Sequence, residues 1–488
     1  MKEDWVEVKL GEICNVKMGQ SPPSETYNTD KNGLPFFQGK AEFTEIHPIA
    51  KKWCTSPKKV ANKDDILISV RAPVGATNIA DQKCAIGRGL AAITYKYSNS
   101  YVWHYLKSIE KKLDNQGTGT TFKAISGTVL KSQIFPLPPL PIQRAIITKI
   151  ENLFASLDKG IEDLTKAREQ LKVYRQAVLK KAFEGEFTKE WREKQTNLPT
   201  AEELLDELKK ERQRFYEKQV EDWKEAVKEW EENGKEGKKP KKPTSLIKEL
   251  SIDISILPKI PVLWEYINID FATYKLGDGL HGTPSYSTHG DHYFINGNNL
   301  GGKHICIKKN TKRVDKSEYL KHKRDLNNDT VLVSINGTIG NTSFYNNEKV
   351  ILGKSACYFN LLPLLDKQFI RWRIDSLEFR NYAFKNATGS TIKNVPLKAM
   401  RDFAIPLCSK EEQHQIVREI ESRLSVCDKL EQSITEGLEK AEALRQSILK
   451  KAFEGKLLSE AEIEKCKQEA DYEPASVLLE RIKKEKKK

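Results

Sequence analysis

Apolar residues recur at helical steps along residues 140–186, at Ile146, Ile150, Leu153, Leu157, Ile161, Leu164, Leu171, Tyr174 and Val178. The same rhythm returns over 409–456, at Ile416, Ile420, Leu424, Cys427, Leu430, Ile434, Ala441, Leu444 and Ile448. Steps of three and four leave a narrow stripe, which is the seam of a coiled coil rather than the broad face of a globular helix. The first helix is entered through Pro136-Leu137-Pro138-Pro139-Leu140-Pro141, the second through Ser409-Lys410-Glu411-Glu412. Both are predicted to stop at a Glu-Gly pair, where Gly185 or Gly455 takes the left-handed conformation that ends helices. About 44 residues of helix extend about 66 Å, and neither helix buries such a stripe alone. The natural partner of each is the other, with packing on the neighbouring globular block as the alternative. An antiparallel pair is expected, because it would hold two globular blocks at a fixed spacing.

Ahead of each helix the pattern changes to short β-branched runs between Gly, Asn and Pro turns, the mark of a strand-rich domain. Asp64-Asp65-Ile66-Leu67-Ile68-Ser69-Val70 leads to Gly75, and Asp329-Thr330-Val331-Leu332-Val333-Ser334-Ile335 leads to Gly340. The two halves are copies. Residues 136–185 align with 406–455 without a gap, at a constant offset of 270, and close on the same run, Leu-Lys-Lys-Ala-Phe-Glu-Gly. The offset returns at Thr118-Gly119-Thr120-Thr121-Phe122-Lys123 and Thr388-Gly389-Ser390-Thr391-Ile392-Lys393. Trp5 and Trp264 open the two blocks, and Ile86-Gly87-Arg88 answers Leu352-Gly353-Lys354. A period this long is not a solenoid repeat of about 20–50 residues but a duplicated module. The fold class that follows is α+β: two strand-rich domains separated by a pair of long antiparallel coiled-coil helices, with an internal pseudo-twofold repeat.

At 488 residues the chain is too long for one core. Its net charge of +14 suits a polyanion such as nucleic acid, although charge alone is also met by a merely soluble basic protein. The eight cysteines are scattered without a CxxC pair, which fits reduced thiols in a cytoplasm better than disulfides or a zinc ribbon. The charged start Met1-Lys2-Glu3-Asp4-Trp5, and the lack of an apolar run of about 18 residues, predict a cytoplasmic protein with no membrane partner.

The order of a variable block ending in a TG(T/S)T-x-K loop, a "PLP…Q…I" helix entry and a long helix closing on KKAFEG, all repeated, resembles the specificity subunit of Type I restriction–modification enzymes. The resemblance covers essentially the whole chain. It implies two target-recognition domains, each reading one half of a bipartite double-stranded DNA target. It implies that the helix pair sets the spacing and docks two modification subunits, which methylate adenine with S-adenosylmethionine, and that restriction subunits join them. This chain would bind no cofactor and catalyse nothing. The implied boundaries are 1–139 and 263–408 for the recognition domains and 140–186 and 409–456 for the helices. A charged connector occupies 187–262 and a C-terminal arm 457–488. The alternative is a duplicated coiled-coil scaffold for a protein or other ligand.

Motif chemistry agrees with a non-enzyme. Ser21-Pro22-Pro23-Ser24 lacks the aromatic ring that an amino-methyltransferase needs to stack a flipped base. Gly353-Lys354-Ser355 lacks the upstream glycine of a phosphate loop, because Glu348 stands there. His281, His289 and His292 are interleaved with Gly and Pro, a turn more than a metal site.

Candidate DNA contacts are residue types that meet phosphates or base edges. In the first block they are Arg71, Asn78, Arg88, Thr118, Gly119, Thr120 and Lys123; in the second, Asn336, Thr338, Asn341, Lys354, Thr388, Gly389, Ser390 and Lys393. The TG loops could instead only close a turn onto the core. Past each helix, Leu204, Leu205 and Leu208, and Leu478, Leu479 and Ile482, form apolar stripes on charged arms, expected to dock the modification subunits. The tract 233–243 reads as a flexible, solvated basic linker.

Overall fold

The computed structural model describes residues 4–119, 123–246, 250 and 252–487. The chain divides into two compact units, one of residues 1–167 with 433–488 and the other of residues 168–432. Each therefore holds one strand-rich domain, parts of both long helices and one arm. Among the described residues no helix is long and apolar enough to cross a membrane.

In the first unit, Val6–Lys9 pairs antiparallel with Ile134–Leu137, so the domain is closed by its own ends. A four-stranded antiparallel sheet runs Asn15–Met18, Leu90–Thr94, Ile66–Ser69, Thr77–Ile79. The second unit repeats this. Glu265–Asn268 pairs with Ala404–Leu407, and the sheet runs Thr273–Asp278, Ala356–Leu361, Thr330–Ser334, Thr342–Phe344. The β-branched runs read from the sequence are the central strands, with Ile66, Leu67 and Ile68, and Val331, Leu332 and Val333, fully buried.

The long helices are Leu140–Phe183 and Lys410–Phe453. Each ends as its glycine dictates. Gly185 and Gly455 have φ of 74° and 70°, and the next N–H groups, of Glu186 and Lys456, return to the carbonyls of Lys181 and Lys451. Within the first unit Arg445 pairs with Asp158 while Leu164 lies against Gly437, so the helix segments run antiparallel. Within the second, Arg175 Nη2 meets Asp428 at 2.6 Å and Arg423 lies over Phe187, again antiparallel. These half-exposed pairs are worth at most about 1 kcal/mol each and matter more as register marks. They also overturn part of the expected seam. Tyr174, Leu430 and Leu444 are about half exposed, because Arg175 and Arg445 turn inward to their aspartates in place of Tyr174 and Leu444.

The arms depart from expectation too. Leu204 and Leu208, on the helix Ala201–Glu232, are buried in the core of the second domain beside Ile267 and Phe271. Leu478, Leu479 and Ile482 are buried beside Trp5 and Leu10 of the first. Their stripes are covered by the chain itself, so those leucines are not docking faces. One further turn along each stripe stands a cation. Arg212 donates to the carbonyls of Leu246, Asp270, Phe271 and Thr273, and Lys486 donates to those of Gly11 and Cys14. Each cation satisfies carbonyls at the end of a short helix, Ile269–Ala272 or Leu10–Ile13. The tract 233–243 is not a loose linker. Trp223 and Trp230 donate their indole N–H to the carbonyls of Pro240 and Gly237, and Lys242 and Lys239 lie over the two rings.

The copies differ at one buried position with a titration consequence. His104 packs between Trp103 and Phe154 with neither ring nitrogen hydrogen-bonded, and burial lowers its pKa to about 4. The matching residue of the second domain is Trp372, which carries no titratable group. An unfolded histidine takes up its proton near pH 6.5 and the folded one only near 4. The first unit is therefore expected to lose about 3 kcal/mol as pH falls across that window, and none above it. Urea unfolding from pH 7 to 4 checks this, and His104→Gln should flatten the slope.

Candidate nucleic-acid interface

In the first domain the central strand pair puts Ser69 opposite Leu90, and the Val70 N–H extends it by one step to the Gly89 carbonyl at 2.9 Å. Arg71 then leaves the sheet to bridge Ala124, and Arg88 lies in the turn that Leu90 N–H closes on the Gly87 carbonyl. The TG loop is tied to the same edge. Ile125 N–H donates to Val70 at 3.0 Å, Ala72 N–H donates to Lys123 at 2.9 Å, and Thr118 and Ala124 exchange both backbone hydrogen bonds.

The second domain builds the same frame. Ser334 stands opposite Ala356, Ile335 N–H donates to Ser355 at 3.0 Å, Asn336 bridges Asn394, and Lys354 lies in the turn that Ala356 N–H closes on the Gly353 carbonyl. Val395 N–H donates to Ile335 at 2.8 Å, Gly337 N–H to Lys393 at 3.4 Å, and Thr388 and Asn394 exchange both bonds. Gly389, at φ 95°, needs its glycine, since a Cβ there would come within 2.5 Å of the Ile392 carbonyl. Each TG loop thus closes a turn and is also held beside the residues at the end of the sheet.

A third loop completes each frame. In the first domain Gly87 N–H donates to Phe37 at 2.8 Å, bringing residues 38–42 alongside. Gly89 permits the approach, since a Cβ there would lie 2.1 Å from the Gln38 carbonyl. Glu42 folds back so that Oε2 accepts from the N–H groups of Gln38 and Gly39. In the second domain Asn299 holds that place, its Oδ1 accepting from Asn296 N–H at 3.0 Å. The first frame encloses a concavity of about 680 Å³ whose lining includes Ser21, Gln38, Lys40, Glu42, Arg71 and Arg88.

Most of the sequence candidates fall on these frames. Arg71, Arg88, Thr118, Gly119, Lys354, Thr388, Gly389, Ser390 and Lys393 are exposed on them. Thr120 lies outside the described residues. Lys123 is exposed but reaches Asp114 at 3.1 Å, and that hydrogen bond holds the Asp114 carboxyl below its usual range. Asn336 is half-buried against Asn394, and the Thr338 hydroxyl sits 3.3 Å from the Gly297 carbonyl. Two candidates are not on the rim. Asn78 is fully buried, its amide holding the Thr44 backbone through both N–H and carbonyl. Asn341 donates to the Leu300 carbonyl at 3.1 Å and does the same work in the second domain. The polar residue next to a turn was read as outward-facing, but here it ties a neighbouring loop. Gln38 and Glu42 were missed because their loop has no repeated signature. The three histidines do not converge: His281 meets Asp278, His292 stacks on Tyr319, and no metal-holding cluster of His, Cys, Asp or Glu occurs among the described residues.

The profile of the Type I restriction modification DNA specificity domain matches residues 2–166 and again 270–440. The chain belongs to that family. All of the candidate contacts lie inside one of those two stretches of the specificity chain. A putative type I restriction enzyme MjaX specificity subunit of Methanocaldococcus jannaschii is 43% identical over 190 residues, 38% of this chain and 44% of that protein. The chain thus spans under half the length of that relative. The type I restriction enzyme EcoBI specificity subunit of Escherichia coli is 23% identical over 99% of this chain and 93% of its own length. A crystal structure of the HsdS subunit from Thermoanaerobacter tengcongensis shares 47% identity over 30% of this chain and 37% of that one, with a TM-score of 0.28.

Proposed function

We propose that this chain is the sequence-reading subunit of a Type I restriction–modification complex, each strand-rich domain reading one half of a split target in double-stranded DNA. One observation carries the reading. A single hydrogen-bonded frame occurs twice and presents Arg71, Arg88 and Glu42 in one copy, Asn336, Lys354 and Asn299 in the other. A constant frame with different side chains is what two readers of two different half-sequences require. The net charge of +14 supplies the attraction for phosphate that such readers need.

In this reading the paired long helices set the unspecified gap and seat two modification subunits. Those subunits carry S-adenosylmethionine and methylate adenine, and restriction subunits join the assembly in the cytoplasm. The chain itself binds no cofactor and is not an enzyme. A domain exchange tests the division of labour. Replacing residues 1–139 with the matching domain of a relative of different specificity should change one half of the methylated motif and leave the other half and the gap as they were. A change in both halves, or in neither, would overturn it.

A further inference from the structure

The first frame carries an electrostatic oddity. Arg71 and Arg88 both line its concavity, which brings two like charges to one site. Neither side chain has a carboxylate partner among the described residues. The backbone beneath both is fixed: the Ser69 hydroxyl donates to the Arg71 carbonyl at 2.8 Å, and Arg88 N–H donates to the Ser21 hydroxyl. Two guanidiniums held on a rigid base, uncompensated and facing one concavity, are arranged for something rich in acceptors.

A DNA phosphate and the major-groove edge of guanine both fit that description, and Glu42 decides between them. Its carboxylate lines the same concavity. Only its Oε2 is engaged by backbone N–H groups, and Oε1 has no hydrogen bond among the described residues. A carboxylate repels a phosphate brought close to it. It is suited to a G·C pair, whose guanine offers O6 and N7 to arginine while its cytosine N4–H₂ donates to a carboxylate. The second frame has no such set: Asn336 and Lys354 replace the arginines, and Asn299, uncharged and buried, replaces Glu42.

Resting on the function proposed above, we infer that Arg71, Arg88 and Glu42 read a G·C base pair in the half-site of the first domain. The second domain, lacking the set, reads a different base at its equivalent step.

The test is a map of N6-methyladenine in cells making the full chain with its modification subunits. The wild-type motif should contain a G·C pair in one half. Arg71→Gln and Arg88→Gln should relax that position alone, with discrimination falling about 5- to 150-fold. Glu42→Gln removes the charge that accepts from cytosine N4–H₂ and should relax the same position and no other. The wild-type complex offers a measure independent of any variant: 7-deazaguanine at that position of a duplex should weaken binding comparably. The inference is overturned if the arginine variants lower methylation at every site with the motif unchanged, as phosphate contacts would. It is equally overturned if Glu42→Gln raises methylation everywhere, or if 7-deazaguanine has no effect. A wild-type map with no split motif would instead count against the proposed function itself.

Discussion

Replacing Glu412 with alanine is expected to lower stability by about 3–5 kcal/mol, because it removes the anion from a buried network and leaves the cation behind. Glu412, 1% exposed, accepts hydrogen bonds of 2.8 Å from the Thr188 hydroxyl, Arg192 Nε and the Trp264 indole. It lies in the first turn of the helix Lys410–Phe453, where the dipole also favours a negative charge. One side chain thus joins that helix to the segment just past the other long helix and to Trp264 at the start of the second domain. At about 2–4 °C per kcal/mol, melting should fall by about 6–20 °C. The loss should be local. The matching residue of the first unit is Ile142, and the Trp5 indole there has no hydrogen-bond partner among the described residues. Hydrogen exchange should therefore quicken around residues 188–192 and 264–272 and stay unchanged at the first domain's equivalents. Melting within about 1 °C of wild type would refute the network's role.

Lengthening both long helices by one heptad is expected to widen the unspecified gap of the motif while both halves stay the same. Seven residues add about 10 Å of helix, about three base pairs at 3.4 Å each. The insertions belong after Ala167 and after Gln432. On one side of those points Asp158 pairs with Arg445, and on the other Arg175 pairs with Asp428, so both marks survive. A heptad also keeps the apolar stripe in phase. Three base pairs turn the duplex by about a third of its period, so methylation should also become less efficient. Insertion into one helix alone breaks the register and should abolish methylation. A motif with its original gap after the double insertion would show that the helices are not the ruler.

Both predictions draw on features the sequence showed unevenly. The long helices were plain, since a periodic stripe and a glycine with positive φ are local properties of the chain. The central strands were plain as well, as β-branched runs buried on both faces. The reversal at Tyr174 and Leu444 was not, because apolar periodicity alone does not show that the next residue is an arginine with an aspartate across the seam. Arg212 and Lys486 continue the stripes Leu204–Leu208 and Leu478–Ile482 by four residues, and a cation on an apolar stripe was the available sign that the arms cap helix ends inside the chain. In the candidate interface, the TG loops and the Arg88 and Lys354 turns were marked by repetition. The meeting of Arg71 with Arg88 at one concavity depends on how separate loops fold together, and Glu42 differs between the copies, so repetition hid it. Asn78 and Asn341 show the converse: a polar residue near a turn can be there for structure.

The most direct measurement is the distribution of N6-methyladenine across the native host genome with and without this chain. The account predicts that one split motif, two short specified halves around a fixed gap, loses its methylation when the chain is absent and regains it when the chain is restored. A genome whose methylated motifs are the same in both strains, with the modification subunits shown to be produced, would contradict the account.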